Sequence, residues 1–215
     1  TPETHLPFSD AAILFPCCRG LSRSPAPPIS SDPYWHVRHD IDKKDEYIMR
    51  GCVEDIWLSV SCVEQLFPYL KGKIGYLGIS FTGGLGALAM ACEKRVARAH
   101  FNVPTFGHRR MRLRLPTTGS GESLQHFYHE HPRMVLRTLR YYDAANAAEN
   151  ITMPTHYAIA LKDPVVSPPG QFSIYNATPK NKQLFVLDGG HCEYPNQALQ
   201  NRQLLGELEN FFSAL

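Results

Sequence analysis

The stretch Ile74-Gly75-Tyr76-Leu77-Gly78-Ile79-Ser80-Phe81-Thr82-Gly83-Gly84-Leu85-Gly86 decides the fold. Its first six residues are a short run, mostly apolar, punctuated upstream by Pro68 and Gly72, which predicts a strand. Gly83 to Gly86 then open a segment of small, strongly helix-forming residues from Ala87 to Arg95, which predicts a closely packed, buried helix. A strand, a tight turn and a helix place Ser80 at the carboxyl end of the strand.

Working outward, apolar residues at Ile48, Cys52, Ile56, Val60, Val63 and Phe67 follow helical spacing, predicting a long amphipathic helix over Tyr47 to Phe67. Further upstream, Ala11 to Phe15 reads as a buried first strand ending at a turn near Arg19-Gly20, and Ser22 to Pro33 as an irregular surface loop. Downstream, strands are predicted at Ala97 to Val103, Thr155 to Leu161 and Leu184 to Leu187. Helices are predicted at Ser123 to Tyr128, Arg133 to Ala148 and Leu199 to Leu215. Strands alternating with helices imply an α/β fold with a mostly parallel sheet flanked by helices. With no internal repeat and no Gly-Ser linker, residues 1–215 read as a single domain.

Composition narrows the function classes. The 22 basic and 20 acidic residues leave a formal net charge of +2, and no footprint for nucleic acid stands out. The one basic cluster, Arg109, Arg110, Arg112 and Arg114, alternates with Met111, Leu113 and Leu115, as in a half-buried extended segment with a solvated or subunit-contacting face. No run of about twenty apolar residues is present, so no membrane span is expected. The six cysteines at 17, 18, 52, 62, 92 and 192 lack paired metal spacing and are expected to be reduced, mostly buried thiols. Thr1-Pro2-Glu3-Thr4-His5 carries no initiator Met, charged n-region or apolar h-region; it does not read as a signal peptide, and sequence is expected to be missing upstream.

The chemistry lies at three predicted strand ends, where open α/β sheets collect functional groups. Gly78-Ile79-Ser80-Phe81-Thr82 resembles the Gly-x-Ser-x-Gly nucleophile elbow, with Thr82 where a second glycine is usual. Asp163 follows the strand ending at Leu161, and His191 follows the strand ending at Leu187. A serine hydroxyl is a weak nucleophile at neutral pH; it needs an imidazole to take its proton and a carboxylate to orient that imidazole. The order Ser80, Asp163, His191 suits those roles, and the Phe81 N–H, next after the nucleophile, suits an oxyanion donor. Asp188 and Glu193 are substitute carboxylates if the loop after Leu161 folds away. The spacings His36-x-x-His39 and His126-x-x-His129 could hold a metal, but neither has an obvious third ligand, and no metal or cofactor is expected.

Several stretches, in order, carry a family resemblance: Arg19-Gly20, Tyr47 with Arg50-Gly51, Gly75 to Ser80, Asn102-Val103-Pro104, Asp163 with Pro168-Pro169 and Tyr175-Asn176, and Gly189-Gly190-His191 with Glu193. From about Ala11 to the C-terminus the chain resembles the acetyl xylan esterase and cephalosporin C deacetylase group, carbohydrate esterase family seven, within the α/β-hydrolase superfamily. The resemblance implies metal-free hydrolysis of short acyl esters, chiefly acetyl groups on xylo-oligosaccharides and related alcohols, by a cytoplasmic homo-oligomer. The chain departs from the family at Thr82, at Leu21 in place of Gln after Arg19-Gly20, and at Cys192, which splits the His-Glu pair. Family members also carry early strands and a loop supplying one oxyanion N–H upstream of Ala11, and this chain is expected to lack them.

Two other readings stay open. One is a catalytically impaired α/β-hydrolase-like fragment serving as a binding or assembly module, since losing one oxyanion donor costs about 3 to 4 kcal/mol of barrier. The other keeps the fold but changes the reaction to that of a peptidase, lipase or thioesterase.

Overall fold

The computed structural model describes residues 10–215, so the reading of Thr1 to His5 lies outside the described residues. Four parallel strands, β1 (Ile74–Ile79), β2 (Val96–Asn102), β3 (Thr155–Ala160) and β4 (Lys182–Leu187), pair in sequential order, with Gly78 opposite Phe101 and Tyr157 opposite Leu184. The helices are α1 (Pro33–His36), α2 (Ile48–Leu66), α3 (Phe81–Met90), α4 (Arg109–Arg112), α5 (Ser120–Glu130), α6 (Pro132–Leu139), α7 (Ala144–Ala148), α8 (Pro168–Ala177) and α9 (Gln197–Phe212).

Parallel strands need helical crossovers, and those helices cover the sheet. On one face α3 packs against β1 and β2, α2 lies over α3, and α8 lies against β3. Leu85, Ala87, Met90, Phe101, Tyr157 and Ile174 fill that core. On the other face α9 brings Leu204, Leu208, Phe211 and Phe212 onto Val103, Ala158, Ala160 and Leu187. The centre of the sheet is therefore dry: every residue of β3 is buried, while β1 and β4 are its edges and leave Ile79, Leu184 and Val186 exposed.

Five expectations are corrected. Ala11 to Phe15 is not a strand: the segment is exposed and pairs with no strand among the described residues, because an apolar run becomes a strand only where a ladder partner meets it. The helix assigned to Ala87–Arg95 starts six residues earlier, at Phe81, and stops at Met90. The segment Arg133 to Ala148 is two helices, α6 and α7, separated where Asp143 caps α7 by accepting from the Ala145 N–H. The arginine-rich segment is helical rather than extended. His108, in the left-handed region at φ 47°, turns its ring onto the Met111 N–H, and the Asp143 carboxylate takes the N–H groups of His108 and Arg109. Arg109 is buried there, while Arg110 and Arg114 are exposed. Finally, the cysteines are free thiols, but only Cys18 and Cys52 are buried; Cys62, Cys92 and Cys192 sit at solvent-facing helix, turn and loop positions.

Among the described residues, no helix is long and apolar enough to cross a membrane.

Candidate active site

Ser80 occupies the bend between β1 and α3 with φ 54° and ψ −110°, a conformation costly for a non-glycine residue. Its backbone is held from three sides. The Ser80 N–H donates to the Asn102 carbonyl at 2.8 Å, and its carbonyl accepts from Gly84 at 3.0 Å and from Thr105 at 3.1 Å. The end of β2 thus clamps the bend.

Clearance does the rest. A Cβ at Gly78 would sit 2.5 Å from the Thr82 carbonyl oxygen, and one at Gly84 only 2.2 Å from that of Thr105. Thr82, at the usual place of a glycine, is accommodated because its side chain faces the open edge. Its hydroxyl donates to the Ile79 carbonyl and accepts from the Ile79 N–H, both at 2.9 Å. Phe81 is the first residue of α3, so its N–H has no intrahelical acceptor.

The loop after β3 is built by hydrogen bonds to one carboxylate. Asp163 Oδ1 accepts from the N–H groups of Val165 and Val166 at 2.9 and 2.8 Å, and Oδ2 accepts from Gln171 Nε2 at 3.1 Å. The side chain is fully buried, whereas that of His191 is 22% exposed. Gln171, on α8, also donates to the Val166 carbonyl and accepts from the Ala160 N–H, so all its polar atoms are engaged. Gly190 makes room, since a Cβ there would lie 2.6 Å from Asp163 Oδ2.

His191 joins the two halves. Its Nδ1 is 2.7 Å from Asp163 Oδ2 and its Nε2 is 2.8 Å from Ser80 Oγ. In the tautomer whose Nδ1–H donates to Asp163, Nε2 is an acceptor aimed at the serine hydroxyl. All three residues read from the sequence therefore meet in one hydrogen-bonded chain. The substitute carboxylates do not join it: Asp188 is exposed and accepts from Asn196, and Glu193 is exposed on the loop.

The histidine pairs serve other ends. His36 is buried with Nε2 against the Arg19 carbonyl, and His126 Nδ1 lies 3.1 Å from the Tyr34 hydroxyl. Among the described residues, metal-type ligand atoms converge at Cys18, Cys52 and Asp55, but both Asp55 oxygens are engaged by Arg19. That ion pair gives Arg19 its purpose, fastening the segment before α1 to α2, and Gly51 gives it space, because a Cβ there would meet Arg19 Nη1 at 2.5 Å.

Gln171 escaped the sequence reading. The signal was present: Ser167-Pro168-Pro169 is a helix start with proline at the first positions, which would have placed Gln171 one turn into a helix beside the Asp163 loop.

Parallel sheet, strained serine bend and strand-end loops together define an α/β hydrolase. Residues 18–208 match the acetyl xylan esterase (AXE1) family model, and the chain belongs to that family. Among solved structures it is similar to the acetyl xylan esterase from Paenibacillus sp. R4, with 23% identity, a TM-score of 0.69, and 78% of this chain and 55% of that one covered. It is also similar to acetyl xylan esterase 1 from Thermoanaerobacterium sp. JW/SL YS485, with 22% identity, a TM-score of 0.65, and coverage of 82% and 57%. The Pyrococcus horikoshii acylaminoacyl peptidase shares the fold at 12% identity and a TM-score of 0.59, over 83% of this chain and 29% of that one. The chain thus spans little more than half the length of the acetyl xylan esterases it resembles.

Proposed function

We propose that this chain is the catalytic part of a serine carboxylester hydrolase that removes short acyl groups, chiefly acetyl, from small carbohydrate or related esters. The observation that carries the reading is the continuous relay from Ser80 Oγ through His191 to Asp163, with contacts of 2.8 and 2.7 Å. In it Ser80 attacks the acyl carbon as His191 Nε2 takes the hydroxyl proton, and Asp163 holds the imidazole and stabilises its charged form. The Phe81 N–H donates to the oxyanion, and His191 returns the proton to the leaving alcohol. Water, activated by the same imidazole, then releases the acid from the acyl-serine. The buried carboxylate with its three further donors supports the orienting role, since those bonds fix the oxygen that faces Nδ1.

The test is hydrolysis of p-nitrophenyl acetate beside the Ser80→Ala variant, with p-nitrophenyl octanoate as the length control. Acetate turnover that vanishes in the variant and falls on octanoate is expected; turnover retained by Ser80→Ala would sink the reading.

One observation favours a second reading, a catalytically impaired module that binds or assembles: β1, the strand carrying Ser80, is an open edge with Ile79 half exposed. A folded chain that is inert toward every ester in the panel supports it.

A further inference from the structure

The proposed chemistry leaves two neighbouring cations unused, one buried and one half-buried. Arg109 is 3% exposed, and its Nε, Nη1 and Nη2 are buried without a hydrogen-bond partner; Arg112 adds a buried Nε in the same condition. Neither forms an ion pair among the described residues, and the nearby carboxylates are committed elsewhere. Asp163 serves His191, Gln171 and two backbone N–H groups, and Asp143 serves the N–H groups of His108, Arg109 and Ala145. The Tyr47 hydroxyl donates to the Val37 carbonyl and turns its lone pairs toward Arg109, a neutral partner that brings no counter-charge. Arg109 stacks over Phe106 at 4.2 Å, which softens its charge without filling a donor.

Burial, helped by the neighbouring Arg109, pulls Arg112 down to about 10, which still leaves it charged at neutral pH. Two like charges are therefore held side by side, Arg109 buried and Arg112 half-buried, with buried donors left empty, a condition that proteins relieve with a counter-charge. A small cavity lies between them. It has a volume of about 20 Å³ and is also lined by Thr117, Gly121, Gln125 and Leu139. Since one water-sized sphere needs about 10–15 Å³, the space has room for one small ion. The Thr117 hydroxyl and the Gln125 amide donate outward, to Val165, Arg112 and Leu115 carbonyls. A water here fills a donor but adds no counter-charge, and Asp163 offsets the Arg112 charge only in part.

We propose that this cavity is a halide site, holding one chloride-class anion between the Arg109 and Arg112 guanidinium groups, behind the loop that carries Asp163. The anion ties together the two ends of α4, and through the Thr117–Val165 bond the site is continuous with the acid loop. Binding only the folded state, it stabilises by mass action.

The experiment uses the chain as it is. Crystals grown without halide are soaked in sodium bromide, and the bromide anomalous signal is mapped; in parallel, the melting temperature is followed against sodium chloride and sodium gluconate at matched ionic strength. An anomalous peak within the cavity is expected, with a saturable, chloride-specific rise of about 5 °C at a hundredfold excess over Kd. Arg109→Gln with Arg112→Gln should abolish the chloride response. A bromide map with no peak in the cavity overturns the proposal whatever the melting curves show, and does so even if the double variant fails to fold.

Discussion

The serine bend and the acid loop hold their side chains by opposite means. The bend is a backbone device: Ser80 is clamped through its own N–H and carbonyl, and the room it needs comes from missing Cβ atoms at Gly78 and Gly84. The acid loop is a side-chain device, in which Asp163 is surrounded by two N–H groups, an amide and an imidazole, and Gln171 ties that cluster to β3. The difference teaches where each half is vulnerable. Adding atoms breaks the first, and removing donors breaks the second.

The largest expected effect tests whether the two halves work together. Ser80→Ala should lower acetyl-ester turnover by at least about 10⁴-fold, while urea unfolding midpoints move little. Gly84→Ala comes next. Its new Cβ would meet the Thr105 carbonyl oxygen, which cannot retreat because the same residue's N–H is bonded to Ser80, so a loss of about 3 kcal/mol is expected in chemical denaturation. A Gly84→Ala chain of unchanged stability would break the claim that the bend depends on clearance.

Gln171→Leu should act through the acid loop alone. It strands the buried Ala160 N–H and removes one Asp163 donor, costing about 2 kcal/mol of stability and roughly tenfold in turnover, the latter through the looser carboxylate. If turnover falls without a stability loss, Gln171 reaches the site by another route. The smallest effect belongs to Thr82→Val, which removes the two bonds to Ile79. About 1 kcal/mol should be lost, Thr82→Ser should restore it, and turnover should change less than twofold.

The same contrast explains what was legible in the sequence. The bend depends on residues close in the chain, so its strand, serine and glycines can be read directly from Ile74 to Gly86. Asp163 and His191 were found from their places after strands, because strand ends are where a parallel sheet gathers function. Gln171 was missed because its value is set by what α8 packs against. Ala11 to Phe15 was misread for a related reason: apolar character is local, but a ladder partner is not. The arginines from 109 to 114 misled through their alternation, since over six residues a period of two is easily satisfied by a short helix whose start depends on Asp143, more than thirty positions away.

Thr82 has a consequence for how this sheet can grow. Along β1, residues 75, 77 and 79 turn their peptide groups to the open side, by the alternation of any strand flanked on one side only. The hydroxyl of Thr82 occupies both groups of Ile79, so a strand arriving at that edge finds rungs at Gly75 and Leu77 and none at the top. Annealing must end short of the serine, and the mouth of the site stays clear of whatever pairs beneath it.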